Sequence, residues 1–281
     1  MMTVTQAAKD TKLWPEWLKI KLSDFEKISF NDGRKLNAIE KFDAGVIGTT
    51  VDALTRFLIS KDFNKSFEAS KFGVYYGFIS LFDISSLYAN TKQWLKIEKF
   101  AQERTYAGMQ EYRSRIVGLD DRSISTACYL CSFDQYYRRG GAFNPENHPE
   151  LDDIPTIENV RTFTQRSLSF FGKFEGITCG FVFTEDEVGS NVTGGDGDYL
   201  TSDTLWEMKC ARESTMKSSA TQYIRQLIIY QIMGRHSKRE MFKGIKKIGI
   251  FNPRSNVAYT LDTEKIPERL IQHVEDVVIG Y

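Results

Sequence analysis

Apolar and polar positions change rhythm about halfway along the chain. In the first half the spacing is three and four. Within residues 44–60, Val51, Leu54, Phe57 and Leu58 fall on one helical face, and the stretch 94–119 is long, amphipathic and densely charged. Residues 123–141 continue the helical pattern and stop on two arginines and two glycines. The next fifteen residues, 142–156, hold four acidic residues and three prolines, which predicts a linker. The boundary is expected there, between a mainly helical region 1–150 of unknown role and a second domain, 151–281.

After that point a period of two appears. A helix is predicted over 156–174 with Thr156 as its N-cap, then a β-rich run 177–184 and a polar loop through Asn191. Two strands flank Thr201–Thr204, and an amphipathic helix over 219–234 ends at Gly234. Strands at 245–254 and 256–262 precede a closing helix, 266–279. The order α-β-β-β-α-β-β-α predicts an α/β unit with a mixed sheet.

Composition narrows the class. With 281 residues, 41% of them hydrophobic, the chain needs no disulfide or metal staple to build a core. Equal numbers of cationic and anionic side chains, 37 of each, exclude a globally basic nucleic-acid binder but not a local basic surface. Cys128 and Cys131 have the CxxC spacing, but no second pair follows and both fall on an apolar helical face. That favours buried thiols over a zinc site. The N-terminus has no signal-peptide pattern, and the apolar run 72–82 stops at Asp83, too short to span a bilayer. A cytoplasmic protein with no membrane partner is expected; homo-oligomerisation stays open.

One stretch breaks the pattern. Residues 194–210, GGDGDYLTSDTLWEMKC, carry Glu207 and Lys209 within an apolar strand. Period two points these two charges to one face and Trp206, Met208 and Cys210 to the other. If the hairpin loop has an even number of residues, Asp198 sits across from Glu207 and Asp196 across from Lys209. Facing Cβ atoms lie about 5 Å apart, close enough for two carboxylates to share a divalent cation. A solvent-exposed hairpin with alternating charges is the plainer alternative. An EF-hand fails, because Leu200 stands at its fifth position and no glycine at its sixth. In the following helix Gln222, Gln226 and Tyr230 recur every four residues and share one face.

Together these residues resemble the PD-(D/E)xK nuclease superfamily, in its RecB-like and lambda-exonuclease-like branch. Gly195 and Asp198 match GxxD, Glu207 and Lys209 match (D/E)xK, and Gln226 and Tyr230 match QxxxY. The resemblance spans about residues 156–260. It implies a restriction-endonuclease-like core, a central mixed sheet flanked by helices. It also implies Mg²⁺ or Mn²⁺ held by Asp198 and Glu207 with the Met208 carbonyl, and hydrolysis of phosphodiester bonds with DNA favoured. Lys209 would stabilise charge, and Gln226 and Tyr230 would position the site. The separation of Asp198 and Glu207 is short for the family, so Asp196 stands beside Asp198 as a second candidate ligand. No cysteine cluster follows Tyr230, so no iron–sulfur centre is expected. A nuclease-like module that binds nucleic acid or protein without cutting is the alternative.

The charge map points the same way. Residues 181–207 hold seven acidic side chains and no Lys or Arg, whereas 209–254 hold eleven Lys or Arg against two acidic. A carboxylate cluster beside a basic flank suits a metal ion and a phosphate backbone. Arg225, Lys238, Arg239 and Lys243 are the expected phosphate contacts. A merely solvated basic surface is the competing reading.

Overall fold

The computed structural model describes residues 1–16, 19–80, 91–139 and 153–281. Along the chain these form α1 (Val4–Lys9), β1 (Glu26–Ser29), α2 (Ala44–Ser60), α3 (Phe63–Ser66), α4 (Glu68–Ser80) and α5 (Thr91–Arg115). Then come α6 (Asp121–Ser132), α7 (Asp134–Arg139), α8 (Ile154–Phe171), β2 (Thr178–Val182), β3 (Asp196–Leu200) and β4 (Thr204–Met208). Helix α9 (Glu213–His236), strands β5 (Lys247–Asn252) and β6 (Val257–Asp262), and α10 (Glu268–His273) complete the chain, with a π-helical turn over Val274–Ile279.

The six strands form one mixed sheet in the order β1-β6-β5-β4-β3-β2, with β4 and β5 parallel and every other pair antiparallel. The protein is therefore α/β, as expected, and the α-β-β-β-α-β-β-α order holds. Among the described residues no helix is long and apolar enough to cross a membrane.

Two compact units divide the chain: Met1–Gly33 with Arg166–Tyr281, and Arg34–Gln165. The expected linker lies almost wholly outside the described residues, and the units part elsewhere than near residue 150. The first 33 residues join the sheet unit for two reasons. Strand β1 pairs with β6, from Glu26↔Thr260 to Ser29↔Val257. Helix α1 packs Val4, Ala7 and Ala8 into the core that α9 builds with Leu227, Ile228 and Ile232.

Helix α8 starts at Ile154, so Thr156 lies in its first turn and is not the N-cap. Its hydroxyl instead donates to the Asp153 carboxylate. Likewise α9 runs past Gly234 to His236. A Cβ at Gly234 would lie 3.2 Å from the Phe242 ring, so this glycine makes room for a neighbour rather than ending the helix.

The helical unit holds Cys128 and Cys131 fully buried on α6. Burial pushes the Cys128 thiol up to about 12, against a smaller opposing effect of Thr50, and Cys131 well above its ordinary value. Such thiols stay protonated and inert. Among the described residues no group of three or more His, Cys, Asp or Glu is arranged to hold a metal ion.

Candidate functional site at the end of strand β4

Every residue of β4 is buried, because the strand is central and covered on both faces. On one face Leu205 meets the α9 core. On the other, Trp206 meets Phe170 edge-on at 5.0 Å, and Met208 Sδ accepts from Ser167 Oγ at 3.3 Å. The exposed-hairpin alternative is thereby excluded. Glu207 is a glutamate in the core, 1% exposed, on the α9 face.

The turn at Ser202–Asp203 sets the register. Thr201 N donates to Thr204 O at 3.0 Å, closing a two-residue loop. Tyr199 then pairs with Trp206, and Leu200 with Leu205. Continued by one residue, this even register faces Asp198 to Glu207, as the sequence predicts. The paired ladder stops before that point. There Asp198 Oδ2 accepts the Met208 N–H at 2.9 Å, so a side chain takes over the bond to β4.

Around this end of β4 the polar groups converge. Lys209 Nζ pairs with Glu207 Oε1 and lies 5.1 Å over the Tyr223 ring. Burial pushes the Lys209 ammonium toward neutrality, but the Glu207 and Asp198 carboxylates outweigh it and raise its pKa overall. Gln226 Nε2 donates to Tyr230 Oη at 3.0 Å, with both residues buried. Burial raises the Tyr230 phenol well above its usual value, and the charges of Glu207, Asp198 and Asp196 add to the effect. Tyr230 is thus a neutral phenol that feels the charge of three carboxylates. Gly195 explains how it fits: a Cβ there would sit 2.4 Å from the Tyr230 ring and 2.9 Å from Val4. Asp196 is solvent-exposed and pairs with Val182 on β2; Asp198 is half-buried.

One atom in this cluster has no partner. Glu207 Oε2 is buried and accepts no hydrogen bond from the described residues. Leaving a buried carboxylate oxygen unsatisfied costs about 1–3 kcal/mol or more, so the fold carries a penalty here that a bound donor or cation would relieve.

The residues expected to touch phosphate fare differently. Arg225 lies 5.0 Å over Trp14 and donates to Ala8 O at 3.4 Å, so it fastens the N-terminal segment. Arg239 grips Glu187 with two bonds, Nε to Oε1 at 2.7 Å and Nη2 to Oε2 at 2.8 Å, and also donates to Val182 O. Its donors serve the fold. Lys238 is exposed, and Lys243 pairs with Glu240 at 2.5 Å on the surface.

Part of the basic flank is also misplaced for a shared site. Lys246 and Lys247 donate their N–H groups to Asp203 O at 2.8 and 3.0 Å, and Lys247 pairs with Thr204 at the start of β4. Lys209 lies just past the other end, about 17 Å away at roughly 3.3 Å per residue. Lys246 and Lys247 thus sit at the opposite end of β4 from Lys209, whereas Arg239 reaches Val182, the β2 partner of Asp196.

Sequence reasoning passed over Tyr223, the ring beneath Lys209. The signal was present: it stands seven residues before Tyr230, two helical turns, on the same side of α9. Comparison with family models, with curated proteins and with solved structures found no match.

Proposed function

We propose that this chain is a metal-dependent phosphodiester hydrolase acting on nucleic acid, with DNA favoured by the resemblance to PD-(D/E)xK nucleases. The observation that carries the reading is the unpartnered Glu207 Oε2, buried beside Lys209 and across from Asp198. An all-oxygen donor set of carboxylates suits a hard cation such as Mg²⁺ or Mn²⁺. Glu207 and Asp198 would hold it, with the Met208 carbonyl as a further oxygen; Asp196, the other candidate, does not join them in a metal-holding group of three among the described residues. Such an ion, when bound, would supply Lewis-acid chemistry to a phosphate oxygen and a water.

The chain's own groups have separable tasks. Lys209, kept protonated by two carboxylates, stabilises negative charge developing on the phosphate and orients the attacking water. Tyr230, held neutral, keeps a hydroxyl proton for a neighbouring oxygen, and Gln226 fixes its direction. Gly195 lets that ring approach the carboxylates.

The second reading, a nuclease-like module that binds without cutting, draws on the same pair. A glutamate already neutralised by lysine has less need of a cation. Calorimetric titration with Mn²⁺ separates the two. The hydrolase reading expects binding that Glu207→Gln and Asp198→Asn each weaken at least tenfold; no binding to the unaltered chain favours the second.

A further inference from the structure

Lys209 is held in two ways, and only one of them is a charge. Its ammonium pairs with Glu207 and lies 5.1 Å from the centre of the Tyr223 ring. That is within the roughly 6 Å at which a ring face attracts a cation through its quadrupole. Tyr223 stands three residues before Gln226 and seven before Tyr230, so the three share one face of α9. They differ in depth. Gln226 and Tyr230 are buried, whereas Tyr223 is half-buried and Lys209 keeps 26% of its side chain exposed. On the α9 side the cluster thus opens to solvent at Lys209 and Tyr223.

The ring is a fixed platform, because it packs against the hydrophobic core of the sheet unit. A lysine, by contrast, carries a compact charge on a flexible four-carbon stem, so its neighbours must define its place. Glu207 cannot do this alone. The carboxylate that pairs with Lys209 is also the one that the hydrolase reading assigns to a cation. A carboxylate neutralised by another charge attracts an ammonium less. The ring face avoids this conflict, since it attracts the ammonium without neutralising it.

We infer that Tyr223 is a positioning residue, whose ring face holds the Lys209 ammonium at the mouth of the site, where the phosphate of a nucleic-acid strand would meet it. The role in cleavage rests on the hydrolase reading; the hold on Lys209 does not. The ring makes the contact, so phenylalanine should serve in its place and an aliphatic side chain should not.

Tyr223→Phe and Tyr223→Leu in the full chain, each first shown to be folded, test it by two measurements. The first needs neither metal nor substrate. The ε-methylene protons of Lys209, assigned in the NMR spectrum by the signal lost in Lys209→Arg, should carry an upfield ring-current shift. Tyr223→Phe should keep that shift and Tyr223→Leu should lose it. The second is cleavage of DNA with Mn²⁺. Tyr223→Leu should lower kcat about tenfold with KM nearly constant, and Tyr223→Phe should cleave almost as the unaltered chain does. Absence of the shift from the unaltered chain overturns the inference, even if that chain cleaves. So does a leucine variant that cleaves at the unaltered rate, or a phenylalanine variant as slow as the leucine one. A chain that shows the shift and cleaves nothing overturns the hydrolase reading instead, and the role of Tyr223 in cleavage falls with it.

Discussion

Two buried glutamates in the same unit make opposite uses of their burial. Glu187, 5% exposed, has every oxygen engaged: by Ser237, by the Thr184 N–H and hydroxyl, and by both arms of Arg239. Glu207, 1% exposed, has a lysine on one oxygen and, among the described residues, nothing on the other. A carboxylate with all its acceptor sites filled is a structural tie. One that is desolvated and left incomplete costs free energy, and folds keep such costs where something binds or reacts.

The largest expected effect falls on the tie. Arg239→Ala takes from the buried Glu187 its only cation among the described residues, leaving it Ser237 and Thr184, and removes the guanidinium that lies 4.7 Å over Phe242, so stability should drop by about 3 kcal/mol. Glu207→Gln keeps the volume and leaves Lys209 near Asp198, so it should stay within about 1 kcal/mol. Urea unfolding of both variants checks this. If the two values are reversed, Glu207 is the structural residue and the contrast collapses.

Close behind comes Gly195→Ala. The added Cβ forces the Tyr230 ring away from the carboxylates, at a cost of about 2 kcal/mol. A neutral effect on melting would mean that the approach of Tyr230 is not constrained there.

Acid sharpens the contrast further. Burial alone would raise the Glu187 carboxyl, but its bonds to Ser237, Thr184 and Arg239 outweigh this and hold it at about 2, against an ordinary 4.5. A group with a depressed folded pKa contributes stability above its unfolded value and loses it as pH falls toward the folded one. The tie should therefore be intact above about pH 4.5 and fade toward pH 2. Stability measured at about pH 5 and about pH 3 should fall more in the unaltered chain than in Glu187→Gln. Equal losses would remove Glu187 as the acid-sensitive group.

The smallest effect concerns the basic flank. Lys238→Gln with Lys243→Gln changes exposed side chains and should alter stability by under about 0.5 kcal/mol. If the flank touches duplex phosphates, the slope of log affinity against log salt flattens by about two units. An unaltered slope makes it a solvated surface.

Much of this was legible in the sequence, for physical reasons. The two-residue turn at Ser202–Asp203 fixes an even register, and register alone faces Asp198 to Glu207. Strand β1 was not legible, because Glu26, Lys27, Ile28 and Ser29 are all exposed and show no alternation. Without β1 and α1, the first 33 residues had no visible tie to the sheet. The charge map misled through topology. Parallel strands β4 and β5 require a crossover, and α9 carries the chain back to the start of β4, away from Lys209. Arg225 and Arg239 looked like free cations, since nothing local in sequence reveals Trp14 or Glu187 as their partners.

The most direct measurement is cleavage itself. The unaltered chain and Glu207→Gln, each first shown to be folded, are incubated with linear, circular and single-stranded DNA in Mg²⁺ or Mn²⁺. Metal-dependent cleavage by the unaltered chain, lowered at least about 10²-fold in the variant, is the predicted result. No cleavage of any substrate with either ion, or equal cleavage by both proteins, would contradict the assignment of Glu207 as the centre of a hydrolytic site.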